Sequence, residues 1–207
     1  LIITIPTVIG TLFLSSLAGY SLAMHRFKLN LLVFAMFIAG NFVPYQILMI
    51  PVRNISIELG MYNSHMGLII FHIAFQTGFC TFFLRNFIKE LPFELIEAAR
   101  ADGATEWTIY RKIIIPLTIP ALAALGVLEF TFIWNDYFWA LILTQGDTVK
   151  PITVGLDVLR GQWTTAWNLV SAGSVVAALP PVIMFFILQR QFLSLIHISE
   201  PTRLWHI

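Results

Sequence analysis

Charged residues are scarce in this sequence. Asp, Glu, Lys and Arg make up 11% of its 207 residues, whereas soluble globular domains carry roughly 25%. The formal net charge of +1 and the lack of a basic stripe interleaved with aromatic residues argue against nucleic acid as a partner. Hydrophobic residues account for 58% of the chain, in long runs between clustered charges. This composition predicts a membrane protein.

Motifs of redox, metal and nucleotide chemistry are also missing. The single cysteine, Cys80, excludes a disulfide framework and a CxxC metal pair. No glycine is followed by lysine, so the chain has no GxxxxGK[ST] phosphate loop, and neither HExxH nor GxSxG occurs. We therefore expect no catalytic residue, no cofactor and no metal, and we expect any ATP to be bound by another chain.

Several apolar runs are long enough to span a membrane. A helix that crosses a hydrocarbon core of roughly 30 Å needs about 20 mostly apolar residues. Five stretches meet this requirement: Leu1–Met24, Leu29–Ile50, His65–Leu84, Leu117–Thr144 and Leu169–Leu188. Prolines in or beside the second and the last indicate either simple kinks or breaks with a functional role. The predicted fold class is all-α, a polytopic transmembrane helical bundle.

The positive charges predict the orientation of this bundle, because Lys and Arg accumulate in cytoplasmic loops. One set of alternate loops carries eight of them: Arg26, Lys28, Arg85, Lys89, Arg100, Arg111, Lys112 and Arg190. The other set carries three: Arg53, Lys150 and Arg160. We therefore expect the polar segment Arg85–Pro116 to be cytoplasmic and Gln145–Asn168 to lie outside.

The cytoplasmic segment Leu91–Pro116 contains start and stop signals for helices. Pro92 suits the first position of a helix, and Gly103 suits the left-handed residue that closes one. Thr105 is a predicted N-cap for a second helix, with Glu106 in its first turn. The sequence therefore predicts two short helices joined by a sharp glycine turn that projects from the membrane.

The first of these helices has the composition of a docking surface. Ala98 and Ala99 are small enough to let a partner approach the backbone closely. Residues with charges of both signs surround them: Glu94, Glu97, Arg100 and Asp102. This pattern favours a helix that fits the groove of another protein. The alternative is a solvated loop with incidental alanines.

The spacing in this segment resembles the EAA motif of ABC importer permeases. In that motif Glu-Ala-Ala is followed after three residues by Gly, and nine residues later by Ile, one residue and Leu-Pro. The chain has Glu97-Ala98-Ala99, Gly103, Ile113 and Ile115-Pro116, with Ile for Leu as the departure, and Asp102 and Ala104 complete an Asp-Gly-Ala core. The resemblance implies that the segment couples a separate ATP-binding subunit to transport. The residues to which it gives this role are Glu97, Ala98, Ala99, Asp102, Gly103, Ile113 and Pro116.

Two further runs resemble the second permease subunit of maltose-type sugar importers. They are WNDYFW at Trp134–Trp139 and GQW at 161–163, and the likeness extends over roughly Leu1–Phe192. It implies a multi-pass protein of a bacterial or archaeal inner membrane. It also implies three partners: an ATP-binding subunit dimer, a second homologous permease and an extracytoplasmic solute-binding protein. Family members usually have six spans, so one more helix is expected before Leu1.

The expected solute is a sugar, and three alternatives remain: another solute for the same machine, and two other classes of membrane protein. The same machine could carry a polyamine, a phosphate or an amino acid. An ion-coupled secondary transporter would instead predict inverted repeats and broken helices at mid-membrane, and it gives no reason for the EAA segment. An integral membrane enzyme would need a catalytic constellation, which the sequence lacks.

Polar residues in the predicted spans are candidates for the solute pathway. Glu129 lies twelve residues into the fourth span, about 18 Å along a helix, where an ionisable group is costly and by default a functional candidate. It either accepts hydrogen bonds from sugar hydroxyls or pairs structurally with a neighbouring helix or with the partner permease. Asn135 and Asp136 either contact the solute or the binding protein, or they cap a helix and face solvent. His72 and Gln76 share a helix face, which favours a polar pair in the core.

The sequence after Phe192 does not resemble the family. Permeases of this kind usually end in a short Gly- and Ala-rich tail, whereas this chain continues LSLIHISEPTRLWHI. Leu193–Arg203 resembles the translation of a transposase-based sequencing adaptor. We expect residues 1–192 to form the transmembrane domain, with the EAA loop at about 85–116. We expect residues 193–207 to be a non-native tail, with a divergent natural tail as the alternative. The nearby His197, Glu200 and His206 are not expected to bind a metal.

Overall fold

The computed structural model describes residues 1–146, 148–159 and 166–199, and within these ranges it contains helices and no strand. The all-α prediction is confirmed. The α-helices in chain order are α1 Thr4–Met24, α2 Asn30–Ala39, α3 Met49–Glu58, α4 His65–Lys89, α5 Phe93–Ala101, α6 Glu106–Ile109, α7 Ile115–Trp134, α8 Phe138–Leu143, α9 Ile152–Val158 and α10 Trp167–Ser199.

The long helices α1, α4 and α7 form the centre of the bundle. Helix α1 lies close against α4, and the Ser15 hydroxyl donates to the Thr77 carbonyl at 3.2 Å. A Cβ on Gly19 would stand 3.1 Å from both Leu84 Cβ and the Arg85 backbone nitrogen, so glycine permits this close approach. Helix α10 packs on α7, where the indole N–H of Trp134 donates to the Ala177 carbonyl at 2.8 Å.

The second predicted span is broken rather than continuous. Helix α2 ends at Ala39, two 3₁₀ turns follow at Gly40–Phe42 and Tyr45–Leu48, and α3 begins at Met49. The segments on either side of the break meet at 92°. Pro44 lies between the two turns, where its ring and missing N–H prevent a regular helix from continuing. The stretch predicted at Leu29–Ile50 is therefore a broken span or a re-entrant loop.

The fourth predicted span was wrong at both ends. Helical structure runs without interruption from Glu106 to Trp134, through α6, a π-helical turn at Tyr110–Ile114 and α7. The chain then leaves the helix at Asn135, and Phe138–Leu143 forms the separate helix α8. Both segments are apolar, so hydropathy joined them into Leu117–Thr144 although the polar pair Asn135-Asp136 separates them.

The helix ends group on two sides as the charges predict. At one end His25, just after α1, lies 3.4 Å from Glu106 of the projecting loop. At the other end the Asn63 side-chain oxygen accepts the backbone N–H groups of Gln145 at 2.9 Å and Gly146 at 3.0 Å. The loops with many and with few positive charges are thus at opposite ends of the bundle.

This grouping gives a prediction for topology. We expect a cysteine at Ala101 to react with a membrane-impermeant maleimide only in inverted vesicles, and one at Thr148 only in intact cells. Both positions are exposed, whereas the native Cys80 is 0% exposed and provides an unreactive background. Labelling of Ala101→Cys from outside would contradict the orientation argued from charge.

Candidate functional site

The segment that joins α4 to α7 forms the predicted helix–turn–helix. Residues 91–116, which include the first two residues of α7, are here called the coupling loop. Helix α5 begins at Phe93, and Pro92 lies just before it instead of at its first position. Gly103 has φ +80°, in the left-handed region, and a Cβ there would meet nothing within 4 Å. Glycine is thus needed for conformation and not for space. The Thr105 hydroxyl accepts the N–H of Thr108 at 3.3 Å, which confirms the predicted N-cap.

The coupling loop has one face in the core and one in the open. Ile96 of α5 is 1% exposed and Ile109 of α6 is 0% exposed, and both belong to the core formed with α1, α4 and α7. Most of the predicted coupling residues lie on the exposed side: Glu97, Ala98, Asp102, Gly103 and Pro116. Ala99 and Ile113 are partly buried and pack against the core. The loop is therefore an anchored platform with a free polar face.

A carboxylate at the base of this platform joins three helices. Glu106 accepts hydrogen bonds from the Tyr20 hydroxyl at 2.5 Å and from Arg100 Nε at 2.8 Å, and His25 Nε2 lies 3.4 Å away. We call Glu106, Arg100, Tyr20 and His25 the Glu106 cluster. The hydrogen bond to Glu106 raises the pKa of the Arg100 guanidinium. The cluster links α5 and α6 to the end of α1.

Buried contacts continue this link into the membrane. The hydroxyls of Ser16 and Tyr110 are 2.7 Å apart in a buried hydrogen bond, and the rings of Tyr20 and Tyr110 are 5.5 Å apart. Tyr110 opens the π-helical turn that joins the loop to α7, and such turns are frequent at functional sites. A displacement of α5 would therefore act on α1 and α7 together.

A cavity of about 790 Å³ lies near the opposite end of the bundle. We call it the outer cavity. Its polar lining is Asn41, His72, Gln76, Thr131, Asn135 and Asp136, and its aromatic lining is Tyr45, Phe75, Phe132, Tyr137, Phe138 and Trp139. Asn135 and Asp136, predicted as pathway residues, are thus brought together with the predicted pair His72 and Gln76.

Asp136 organises one wall of the outer cavity. Its carboxylate accepts the backbone N–H groups of Trp139 at 3.2 Å and Ala140 at 2.9 Å, and so caps α8. His72 Nε2 lies 3.4 Å from Asp136 Oδ2, and His72 is buried. The backbone carbonyl of Asp136 also accepts the Thr153 hydroxyl at 2.6 Å. One residue therefore connects α4, α8 and α9.

Glu129 lies apart from this cavity. It is 1% exposed between α4 and α7, and its Oε1 accepts the Cys80 thiol at 3.2 Å. Its Oε2 has no hydrogen-bond partner among the described residues. Of the two alternatives for Glu129, this contact supports pairing with a neighbouring helix.

Some residues named from the sequence lie outside the described residues. These are Arg160, Gln162 and Trp163 in the outer loop, and Glu200 and His206 in the tail.

A broken span, long apolar helices and a projecting helix–turn–helix define a multi-pass helical membrane protein. The family model described as "Binding-protein-dependent transport system inner membrane component" matches residues 12–197. This chain belongs to that family. The resemblance to ABC importer permeases, the multi-pass inner-membrane location and the assignment to transport components instead of enzymes are confirmed.

Curated relatives carry matching descriptions. A probable ABC transporter permease protein of Pyrococcus horikoshii, PH1216, is 38% identical over 84% of this chain and 63% of its own length. The lactose transport system permease protein LacG of Rhizobium radiobacter is 36% identical over 89% of this chain and 67% of its own. The arabinooligosaccharides transport system permease protein AraQ of Bacillus subtilis is 32% identical over 94% and 68%. The chain thus spans about two thirds of the length of these relatives.

Solved structures agree on the fold. A chain from a bacterial ABC transporter involved in the import of the acidic polysaccharide alginate matches with a TM-score of 0.80 and 25% identity, over 91% of this chain and 71% of that one. A chain of the MetNI methionine ABC transporter matches with a TM-score of 0.65 and 20% identity, over 91% of this chain and 92% of that one. The second likeness shows the fold alone.

Proposed function

We propose that this chain forms half of the translocation pathway of an ATP-driven sugar importer and couples it to a separate ATPase. The observation that carries the proposal is the coupling loop, with its exposed Glu97 and Ala98 and its buried anchors Ile96 and Ile109. A rigidly anchored platform with a small-residue, charged outer face suits a protein partner that must push on the bundle. The chain itself has no phosphate-binding loop.

The coupling residues have distinct proposed tasks. Ala98 allows the ATPase surface to approach the helix backbone, and Glu97 and Asp102 supply charged contacts around it. Gly103 fixes the direction in which α5 points. Ile113 and Pro116 hold the loop on α7, so that closure of an ATP-binding dimer would move α5 and, through the Glu106 cluster, α1. A second homologous permease and an extracytoplasmic solute-binding protein complete the proposed assembly.

The outer cavity supports a sugar as the solute. Aromatic side chains offer apolar faces for the C–H surface of a sugar ring, and carboxylate, amide and imidazole groups match its hydroxyls. The outer cavity combines both, with Asn135 and Asp136 as proposed pathway residues. Two relatives named for lactose and arabinooligosaccharides point the same way. A relative in Salmonella typhi named for sn-glycerol-3-phosphate, 34% identical, favours a phosphorylated polyol as the second candidate.

Reconstitution tests the proposed function. The permease, reconstituted with its proposed ATPase, second permease and binding protein, should accumulate a labelled sugar in proteoliposomes only when ATP is supplied. Lactose, arabinotriose and glycerol 3-phosphate form the test panel. Uptake of glycerol 3-phosphate alone would overturn the sugar assignment, and uptake without ATP or without a bound ATPase would overturn the coupling.

Glu129 gives a separate prediction. We expect Glu129→Ala to lower the free energy of unfolding by about 1–3 kcal/mol, because a buried hydrogen bond and its packing are lost. The order in which sugars compete for uptake should stay unchanged, since Glu129 does not line the outer cavity. Melting in detergent and competition uptake measure the two effects, and Gln76→Ala, on the cavity wall, is the matched control that should change competition. A changed order in Glu129→Ala with normal stability would place Glu129 on the pathway instead.

A further inference from the structure

A third structural feature lies beside the coupling loop. A cavity of about 570 Å³ opens between the end of α1, the end of α4 and the start of α5. Its charged lining is Arg26, Lys89, Arg100 and Glu97, and Met24 and Phe93 contribute to its apolar lining. We call it the inner cavity. It is not part of the outer cavity, and the proposed function gives it no role.

The charges of the inner cavity are not balanced. Three cations line it with one carboxylate, and Arg100 is already paired with Glu106. Arg26 and Lys89 are exposed, and neither has a hydrogen bond or ion pair with any residue that the structure describes. Two cations that line the same cavity without an ion pair repel each other, so an anion placed between them would be stabilised by both.

The cavity also offers apolar surface next to these cations. Phe93 is 46% exposed, and Met24 ends the membrane helix α1 on the same wall. A small soluble anion would contact only the cations, whereas an amphiphile would contact both the cations and the apolar surface. The position at the end of the bundle that carries most Lys and Arg is where anionic headgroups of the inner leaflet lie.

We propose that the inner cavity binds the phosphate headgroup of an anionic phospholipid. Arg26 and Lys89 would hold the phosphate, and Met24 and Phe93 would contact the upper part of an acyl chain. Because α5 forms one wall, a bound lipid would also brace the coupling loop against the ends of α1 and α4.

Native mass spectrometry of the detergent-purified full-length permease tests the site. Phosphatidylglycerol, phosphatidylcholine and inorganic phosphate are titrated separately. We expect phosphatidylglycerol to bind with the highest affinity, and the double variant Arg26→Gln/Lys89→Gln to bind it about 30-fold more weakly, the effect of removing two cations near a lipid phosphate. The charge-preserving pair Arg26→Lys/Lys89→Arg should retain binding, which guards against a folding defect.

Lys28→Gln is the matched control, because Lys28 is an exposed cation two residues from Arg26 that does not line the cavity. We expect it to change the affinity less than about twofold. If Lys28→Gln weakens lipid binding as much as the double variant does, the lipid is held by diffuse attraction to surface cations, and the proposed site is overturned. Inorganic phosphate binding as tightly as the lipid would make it a small-anion site. If the double variant Arg26→Gln/Lys89→Gln loses ATPase binding in lipid-free detergent while its lipid affinity is unchanged, the cavity is a protein contact and not a lipid site.

Discussion

Replacing Gly103 with valine is expected to reduce ATP-driven uptake by the assembled importer about tenfold or more. Gly103 has φ +80°, where a β-branched residue is strongly disfavoured and a left-handed backbone costs about 1–3 kcal/mol. The turn relieves this strain by changing its direction. Glu97 and Ala98 of α5 are then misoriented relative to the ATPase surface that they are proposed to contact. Uptake and co-purification of the ATPase measure the effect, and normal values for both would contradict the coupling role.

A second glycine offers a close control for this experiment. Gly60 has φ +66°, and a Cβ there would also meet nothing within 4 Å. It follows α3 and lies on the other side of the bundle from the coupling loop. Gly60→Val therefore introduces similar strain and should leave the ratio of uptake to ATP hydrolysis unchanged. Gly103→Asn should retain most activity, because asparagine tolerates the left-handed region. Equal losses in Gly60→Val and Gly103→Val would indicate a general folding defect.

The form of the coupling loop could be predicted because its signals are local. Gly103 and Thr105 specify a turn and a cap through their own backbone and side chain, whatever surrounds them. Even here Pro92 stands one position outside the helix for which it was a predicted first residue. Local signals give the elements of the loop, with boundaries that depend on neighbouring residues.

The Glu106 cluster could not be predicted in this way. Glu106 reads in the sequence as a carboxylate favourable to the first turn of its own helix, which it is. Its bond to Tyr20 joins residues 86 positions apart, and only the packing of α1 beside the loop brings them together. The anchoring of the loop is thus a tertiary property, although its exposed face can be recognised from the sequence.

The predicted boundaries of the second and fourth spans were wrong for a related reason. Hydropathy reports how apolar a segment is and contains no information on its direction. A 92° break between two helices and the end of α7 at Trp134 are therefore both hidden within apolar runs. The polar pair Asn135-Asp136 was the available signal. The sequence left open whether Asp136 caps a helix or faces solute, and in the structure it caps α8 and also lines the outer cavity.

Because Asp136 both caps α8 and lines the outer cavity, we expect its substitution to have the largest effect on transport of any residue of this cavity. Asp136→Ala removes the acceptor of two backbone N–H groups, a loss of about 0.5–2 kcal/mol. It also leaves the buried His72 without its neighbouring carboxylate, at a further cost of about 1–3 kcal/mol. We expect uptake to be lost and the melting temperature of the purified permease to fall.

Two companion variants separate the cap from the contact with solute. Asp136→Asn keeps a side-chain oxygen for the cap but removes the charge, so we expect near-normal melting with weaker uptake of sugar. Asp157→Asn is the matched control, because Asp157 is another aspartate at the same end of the bundle, which accepts a hydrogen bond from Tyr137 at 2.8 Å and does not line the outer cavity. It should melt and transport like the unaltered protein.

If Asp136→Ala also melts and transports like the unaltered protein, the arrangement of α4, α8 and α9 around this carboxylate does not limit transport. If Asp136→Asn melts normally and also transports normally, Asp136 is a cap alone, and the solute contacts must come from other residues of the cavity.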